Sequence, residues 1–92
     1  MTYIRVIWKH RHPDEPVTLY SELNDQRFEV RKVEVFRDGR MGYASADEAV
    51  AGTMLGLVPV PDLSEIAKDP EFEPIEITSS EFEAIWSRRN AK

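Results

Sequence analysis

The sequence predicts an α+β fold in which a four-stranded antiparallel sheet, a meander, is covered on one face by two or three short helices. Three observations favour this class. β-branched and aromatic residues dominate residues 1–45, helix-capping patterns recur in residues 46–92, and 92 residues suit one domain with a single core. We therefore expect residues 1–92 to form a single domain, with strands in 1–45 and helices in 46–92 apart from a short extended segment near 72–77.

The strands are predicted from runs rich in β-branched and aromatic residues, bounded by turn residues. Such runs occupy residues 3–9, 17–23, 27–37 and 40–45. Asp38-Gly39 is a strong signal for a tight hairpin between the last two runs. Within the third run the apolar residues change parity between Val30 and Val33, so we expect a β-bulge or sharp twist near Arg31-Lys32.

The helices are predicted from capping patterns in the second half. Ser45-Ala46-Asp47-Glu48 and Thr78-Ser79-Ser80-Glu81 both place a glutamate three residues after a hydroxyl, as in a capping box. Asp62 caps a further short helix, which Pro70 ends. The core is expected to contain Trp8, Phe28, Phe36, Phe82, Ile85 and Trp86.

Composition excludes several classes of protein. The absence of cysteine removes disulfides, thiolate nucleophiles and cysteine-based metal sites. The longest apolar-rich stretch, residues 54–60, is far shorter than a membrane-spanning helix, and the first residues lack the pattern of a signal peptide. We therefore expect a cytoplasmic protein without membrane association. No cofactor or catalytic motif is present, which favours a non-enzymatic protein with no cofactor.

Charge is distributed unevenly along the chain. Residues 1–45 carry a net charge of +1 and residues 46–92 a net charge of −6, within a total of −5. Such an acidic balance argues against nucleic-acid binding and favours a basic protein as partner. The candidate contact residues, expected on an acidic helical face, are Asp62, Glu65, Asp69, Glu71, Glu73 and Glu76. The alternative for this stripe is a solvated surface that only keeps the protein soluble.

Two further hypotheses remain open. His10 and His12 flank one residue at the end of a strand, and Asp14 could add an oxygen ligand, so a small metal-binding protein or enzyme is one alternative. The hairpin of residues 27–40 interleaves cations with aromatic residues, which is typical of single-stranded RNA binders. An exposed edge strand could also support a homodimer.

The chain resembles a small single-domain bacterial family of unknown function. The resemblance is carried by Tyr3-Ile4-Arg5-Val6-Ile7-Trp8, by the hairpin from Arg31 to Arg40 and by Glu81-Phe82-Glu83-Ala84-Ile85-Trp86. It implies a compact bacterial cytosolic protein and supplies no activity or catalytic residue. Since small acidic bacterial domains often mask a toxin, an immunity or antitoxin type of inhibitor is the function we predict, with the toxin as the basic partner.

Overall fold

The computed structural model describes residues 1–89 and contains one six-stranded antiparallel sheet. The strands are β1 (Thr2–Trp8), β2 (Thr18–Leu23), β3 (Glu29–Val35), β4 (Met41–Ala44), β5 (Ala49–Val50) and β6 (Phe72–Ile77). Two helices, α1 (Leu63–Ile66) and α2 (Ser79–Ser87), accompany the sheet. Among the residues described, neither helix is long and apolar enough to cross a membrane.

The strands are ordered β5-β4-β3-β2-β1-β6, so β1 to β5 form a meander and β6 returns to the far side of β1. Residues directly opposite each other on neighbouring strands point to the same face of the sheet. Ile4 lies opposite Ser21, and Tyr3 lies opposite Glu22. We call the two sides of the sheet the Ile4 face and the Tyr3 face.

The prediction of a four-stranded sheet is wrong, in part because the extended segment near 72–77 is a full member of the sheet. It forms β6, which pairs along the whole of β1 from Tyr3 opposite Ile77 to Trp8 opposite Phe72. β1 presents apolar side chains on both of its faces, as expected for a strand that is covered on both faces of the sheet. β1 is therefore central, with β2 on one side and β6 on the other.

The helix predicted after Ser45 is also absent, and a turn followed by β5 takes its place. The Ser45 hydroxyl accepts a hydrogen bond from the Asp47 N–H, and the Ser45 N–H donates to the Glu48 carbonyl. Local bonds of serine and aspartate compete with helix formation, which explains the outcome. Ala51 and Gly52, with φ of 60° and 79°, then turn the chain away from β5.

The two helices lie on opposite faces of the sheet, so the prediction of two or three helices packed on one face is wrong. Leu63 and Ile66 of α1 pack against a buried cluster that includes Ile4, on the Ile4 face. Phe82 of α2 is fully buried and its ring lies 5.5 Å from that of Tyr3, on the other face. Alternating apolar residues on β1 supply a surface for each helix.

Two predictions within the sheet are confirmed. The Phe36 N–H donates to the Arg40 carbonyl, and Gly39 between them has a φ of 92°, as a hairpin with a glycine in the left-handed region requires. The register between β2 and β3 shifts after Glu22, which leaves Val30 as the extra residue beside the predicted position of the bulge.

The predicted capping box at the start of α2 is confirmed. The Thr78 hydroxyl accepts from the Glu81 N–H at 3.1 Å, and the Glu81 carboxylate accepts from the Thr78 N–H at 3.0 Å. At α1, by contrast, Asp62 makes no side-chain capping bond.

Phe28, expected in the core, is 37% exposed.

Arg31 of β3 ties α2 to the Tyr3 face. Its guanidinium binds Glu22 of β2 through two bonds of 2.6 and 3.0 Å, and its Nη1 donates to Glu83 of α2 at 3.1 Å. The same group lies over the rings of Phe82 and Trp86, at 4.9 and 5.0 Å from their centroids. Bidentate pairing and cation–π contact together suit a guanidinium better than an ammonium group.

This network shifts the pKa values of its members. Hydrogen bonds from Arg31 hold the pKa of Glu22 below its usual value of 4.5, although burial alone would raise it. Hydrogen bonding to Arg31 likewise lowers the pKa of Glu83. The bond to Glu22 raises the pKa of the Tyr3 hydroxyl. A carboxyl whose folded pKa is lowered stabilises the protein above its unfolded pKa, and this contribution is lost as the pH falls.

We predict that Glu22→Gln lowers the free energy of unfolding by about 2 kcal/mol at neutral pH, because Arg31 loses its bidentate ionic partner. The loss should shrink as the pH falls below 4.5, the usual value for a glutamate, and then through the lowered pKa of Glu22, because Glu22 becomes protonated in the parent protein. Urea unfolding at several pH values measures this. Glu76→Gln, at an exposed site on β6, is the control and should leave stability unchanged. An equal pH slope in Glu22→Gln and the parent would contradict the prediction.

Candidate functional site

β3 turns three charged side chains towards the Ile4 face, namely Glu29, Lys32 and Glu34. These side chains are only 7, 16 and 16% exposed. The Lys32 ammonium lies 3.5 Å from Glu29 and 3.8 Å from Glu34, so it partly neutralises both carboxylates. Charges withdrawn from water need such partners and further hydrogen bonds. Further hydrogen bonds come from Ser21 of β2 and from the segment that follows β5.

Thr53 is the first anchor of that segment. Its side chain is buried and donates from Oγ1 to Glu34 at 2.7 Å. Thr53 also packs on Gly42 of β4, where a Cβ atom would lie 2.1 Å from Thr53 Oγ1. Glycine at this position therefore lets the segment approach the sheet closely.

Glu29 and Lys32 provide the second anchor. Glu29 accepts from the Gly56 N–H at 2.7 Å and from the Ser21 hydroxyl at 3.0 Å. Lys32 Nζ lies 3.5 Å from the Met54 carbonyl oxygen. The backbone between residues 53 and 56 is thus held by charged side chains of the sheet, in addition to the packing of the Thr53 side chain on Gly42.

Arg27 provides the third anchor, at the far end of the segment. Its side chain donates to the carbonyls of Val60 and Pro61 at 2.8 and 2.7 Å, and its own carbonyl accepts from the Val60 N–H at 2.8 Å. Val60 in turn packs against the core cluster of the Ile4 face. Both ends of the segment are therefore fixed to the sheet.

Between these anchors the chain exposes large apolar side chains. Met54, Leu57 and Val58 are 72, 93 and 70% exposed. We call residues 54–58 the apolar loop. Burying one such side chain stabilises a protein or a complex by about 1.5–3 kcal/mol. The exposed side chains of this loop do not contribute that free energy to folding, but they could contribute it to binding if a partner covered them.

The predicted contact residues lie in what we call the acidic segment, residues 62–76. Only Glu65 is part of a helix; the others lie at the start of α1, in the turn after it and on β6, so the expected acidic helical face is not formed. Three residues, 59–61, separate this segment from the apolar loop, and the segment covers the Ile4 face before it reaches the edge of the sheet.

Local partners engage five of the six candidate carboxylates, as the hydrogen bonds and ion pairs of residues 1–89 show. Asp62 lies 3.8 Å from Arg27, Glu65 lies 2.9 Å from Lys68, and Glu73 lies 2.6 Å from Lys9. Asp69 accepts from the Glu71 N–H, and Glu71 accepts from the Trp8 indole. Glu76 is exposed on β6. Exposed pairs of this kind are worth little, so the carboxylates remain available to a partner.

The outer edge of β6 is poorly suited to pairing with another strand. The bond from the Lys9 N–H to the Glu71 carbonyl places the peptide groups of Phe72, Pro74 and Glu76 on the outward side. Pro74 has no N–H, and the Phe72 N–H already donates to Asp69. The opposite edge strand, β5, has only two residues. Both features are typical of protected sheet edges.

Both ring nitrogens of His10 have partners within the chain. His10 Nε2 lies 2.7 Å from the Pro16 carbonyl, and His10 Nδ1 accepts from the His12 N–H at 2.9 Å. The His10 ring also packs between those of Trp8 and His12. Within residues 1–89, no group of three potential ligands is placed to hold a metal ion, Asp14 included. The geometry thus favours a structural role for His10.

The cations of the 27–40 hairpin also bind within the chain. Arg27, Arg31 and Lys32 hold the segments described above, Arg37 donates to the His10 carbonyl, and Arg40 pairs with Asp38 at 2.7 Å. Each cation offered for RNA binding therefore already has an intramolecular partner. Cross-strand and loop-anchoring roles account for this charge pattern.

The apolar loop was not predicted as a site. The run Met54-Leu55-Gly56-Leu57-Val58 is apolar but too short for a membrane-spanning helix. The available signal was the position of this apolar run between two breaks, Gly52 and Pro59, with no helical or strand periodicity.

The family comparison is consistent with the resemblance noted in the sequence. Residues 2–91 match the model of a domain of unknown function, DUF6881. No curated protein matches the chain. No solved structure matches it either. Because the matched region spans nearly all of the sequence, the chain belongs to the DUF6881 family of domains of unknown function.

Proposed function

We propose that this domain is a non-enzymatic protein-binding module whose contact surface is the apolar loop, with the acidic segment as its charged rim and a basic protein as partner. One observation carries the proposal: Met54, Leu57 and Val58 are exposed on a backbone that buried or half-buried polar side chains hold to the sheet.

A fixed loop favours binding because little conformational entropy remains to be lost when a partner docks. Protein interfaces draw most of their affinity from a few apolar anchors surrounded by polar residues that exclude water. Leu57 and Val58 are suited to the role of anchors, and Asp62 and Glu65 follow closely in the chain as polar neighbours.

Charge complementarity supports a basic partner over a second copy of the chain. The net charge is −5, and two copies docking through the apolar loop would bring two acidic segments together. The protected edges of β5 and β6 give no independent support to a dimer. Homodimerisation is therefore an alternative outcome of the experiment below.

Within this class, the partner we propose is a toxin whose basic cleft handles nucleic acid, so that the domain acts as an immunity or antitoxin type of inhibitor. Small size, acidic charge and a fixed apolar surface support this assignment. Clustered carboxylates speed the encounter with a cationic cleft, and apolar anchors slow dissociation.

We predict that Gly42→Ala destabilises the protein by about 2 kcal/mol, because the added Cβ would overlap Thr53 and force the loop away from the sheet. Gly39→Ala is the control: its Cβ meets no atom within 4 Å, and only its φ of 92° opposes the change, at about 1 kcal/mol. Urea unfolding ranks the two variants. An equal loss of unfolding free energy in Gly42→Ala and Gly39→Ala would contradict the account. Unchanged amide NMR shifts of residues 53–58 in Gly42→Ala would also contradict it.

We predict that the double variant Leu57→Ser, Val58→Ser binds its partner at least about tenfold more weakly while remaining as stable as the parent, since both side chains are exposed. Capture from a lysate of the organism that encodes the chain, followed by titration with the purified captured protein, measures this. Ile75→Ser, at a 47% exposed site on the Tyr3 face, is the control and should bind normally.

The expected partner is basic and dissociates as salt is raised to about 0.5 M, because screening weakens the acidic rim. If the parent protein, the double variant and Ile75→Ser all retain the same proteins, the apolar loop is not the contact surface and the proposal is refuted. Light scattering that shows a dimer in the parent and a monomer in the double variant would identify a second copy as the occupant instead.

A further inference from the structure

The Tyr3 face contains a second concave site, separate from the apolar loop. A cleft of about 250 Å³ opens between α2 and the neighbouring part of β1 and β2. Its polar lining consists of Arg5, Tyr20, Glu81 and Arg88, and its apolar lining includes Ile77 and Ile85. We call this site the arginine cleft. It is smaller than the 300–1,000 Å³ typical of pockets for drug-sized ligands, so a small molecule fits it better.

Arg5 is an unusual residue for its position. It lies in the middle of β1, between Tyr20 of β2 and Ile75 of β6, and is less than half exposed. Its Nε atom is buried and has no hydrogen-bond partner in residues 1–89. Arg31, two strands away on the same face, is instead matched by two carboxylates. A partly buried guanidinium donor without a hydrogen-bond partner is costly, and a bound anion that reaches it would remove that cost.

The charges around Arg5 limit the kind of anion. Arg88 adds a second guanidinium and Glu81 adds one carboxylate, so the lining carries a net charge of +1. Glu81 stays ionised, because hydrogen bonds from the Thr78 backbone and hydroxyl lower its pKa and the charge of Arg5 adds to this effect. A monoanion neutralises a lining of net charge +1, whereas a phosphate dianion would leave a net negative charge in the cleft and would cost more to remove from water.

We propose that the arginine cleft binds the carboxylate of a small amphipathic acid. The carboxylate pairs with the guanidinium of Arg5, whose planar fork matches two carboxylate oxygens, and the Tyr20 hydroxyl is a further donor in the lining. The apolar part of the ligand lies against Ile77 and Ile85. Because this site and the apolar loop are on opposite faces of the sheet, neither proposal depends on the other.

NMR titration of the whole protein with hexanoate tests the proposal. Saturable shifts are expected for the Arg5 Nε–H and for amides of residues 84 and 85. Hexanamide lacks the charge and inorganic phosphate lacks the apolar chain, so each should bind at least about tenfold more weakly. Absence of saturable shifts with hexanoate, or tighter binding of phosphate, would overturn the assignment.

Arg5→Met separates a ligand site from a structural role. It should weaken hexanoate binding at least about tenfold without lowering the melting temperature of the free protein, because the buried Nε atom of Arg5 makes no hydrogen bond with residues 1–89 and its charge interaction with the exposed Glu81 is weak. Arg11→Met, in the exposed loop after β1, removes the same charge and should change neither property. A lower melting temperature or loss of folding in Arg5→Met would show that Arg5 is structural and would refute the proposal.

Discussion

The charged residues of β3 hold the layers on both sides of the sheet. Arg31 binds Glu83 and so fixes α2 on the Tyr3 face. Glu29 and Glu34 bind backbone and side-chain donors of the segment after β5 and so fix it on the Ile4 face. Because successive residues of a strand point to opposite faces, one strand can perform both roles. The apolar loop and the wall of the arginine cleft both depend on these contacts.

This use of charge differs from a core built of apolar packing alone. The largest fully buried side chains include one polar residue, Thr53, in addition to the apolar residues Ile4, Leu23, Val33 and Phe82. A domain of this size buries a modest apolar area, so polar anchors that fix loops matter more to its shape. Paired charges contribute little net stability, but they select one arrangement because an unpaired buried charge is costly. The result is a defined surface that leaves apolar side chains available to a partner.

Local sequence patterns predicted the features that local bonds determine. Asp38-Gly39 gave the hairpin, Thr78 with Glu81 gave the cap of α2, and the parity change near Arg31 indicated the bulge. The prediction of a helix after Ser45 was wrong because the same hydroxyl that can cap a helix can also close a turn. The pairing of β6 with β1 joins segments more than sixty residues apart in sequence, and no short pattern specifies such a partner.

The candidate site was predicted only in part, because the roles of its charged residues depend on tertiary contacts. Glu29 and Lys32 lie in the predicted hairpin, but no local pattern indicates that they bind the Gly56 amide and face the Met54 carbonyl. Amide hydrogen exchange of Gly56 in the unmodified protein tests this most directly. The account predicts exchange at least about a hundredfold slower than in an unstructured peptide, since the bond to Glu29 must open first. Exchange within a few-fold of the unstructured rate would show that the apolar loop is not held, and would contradict the account.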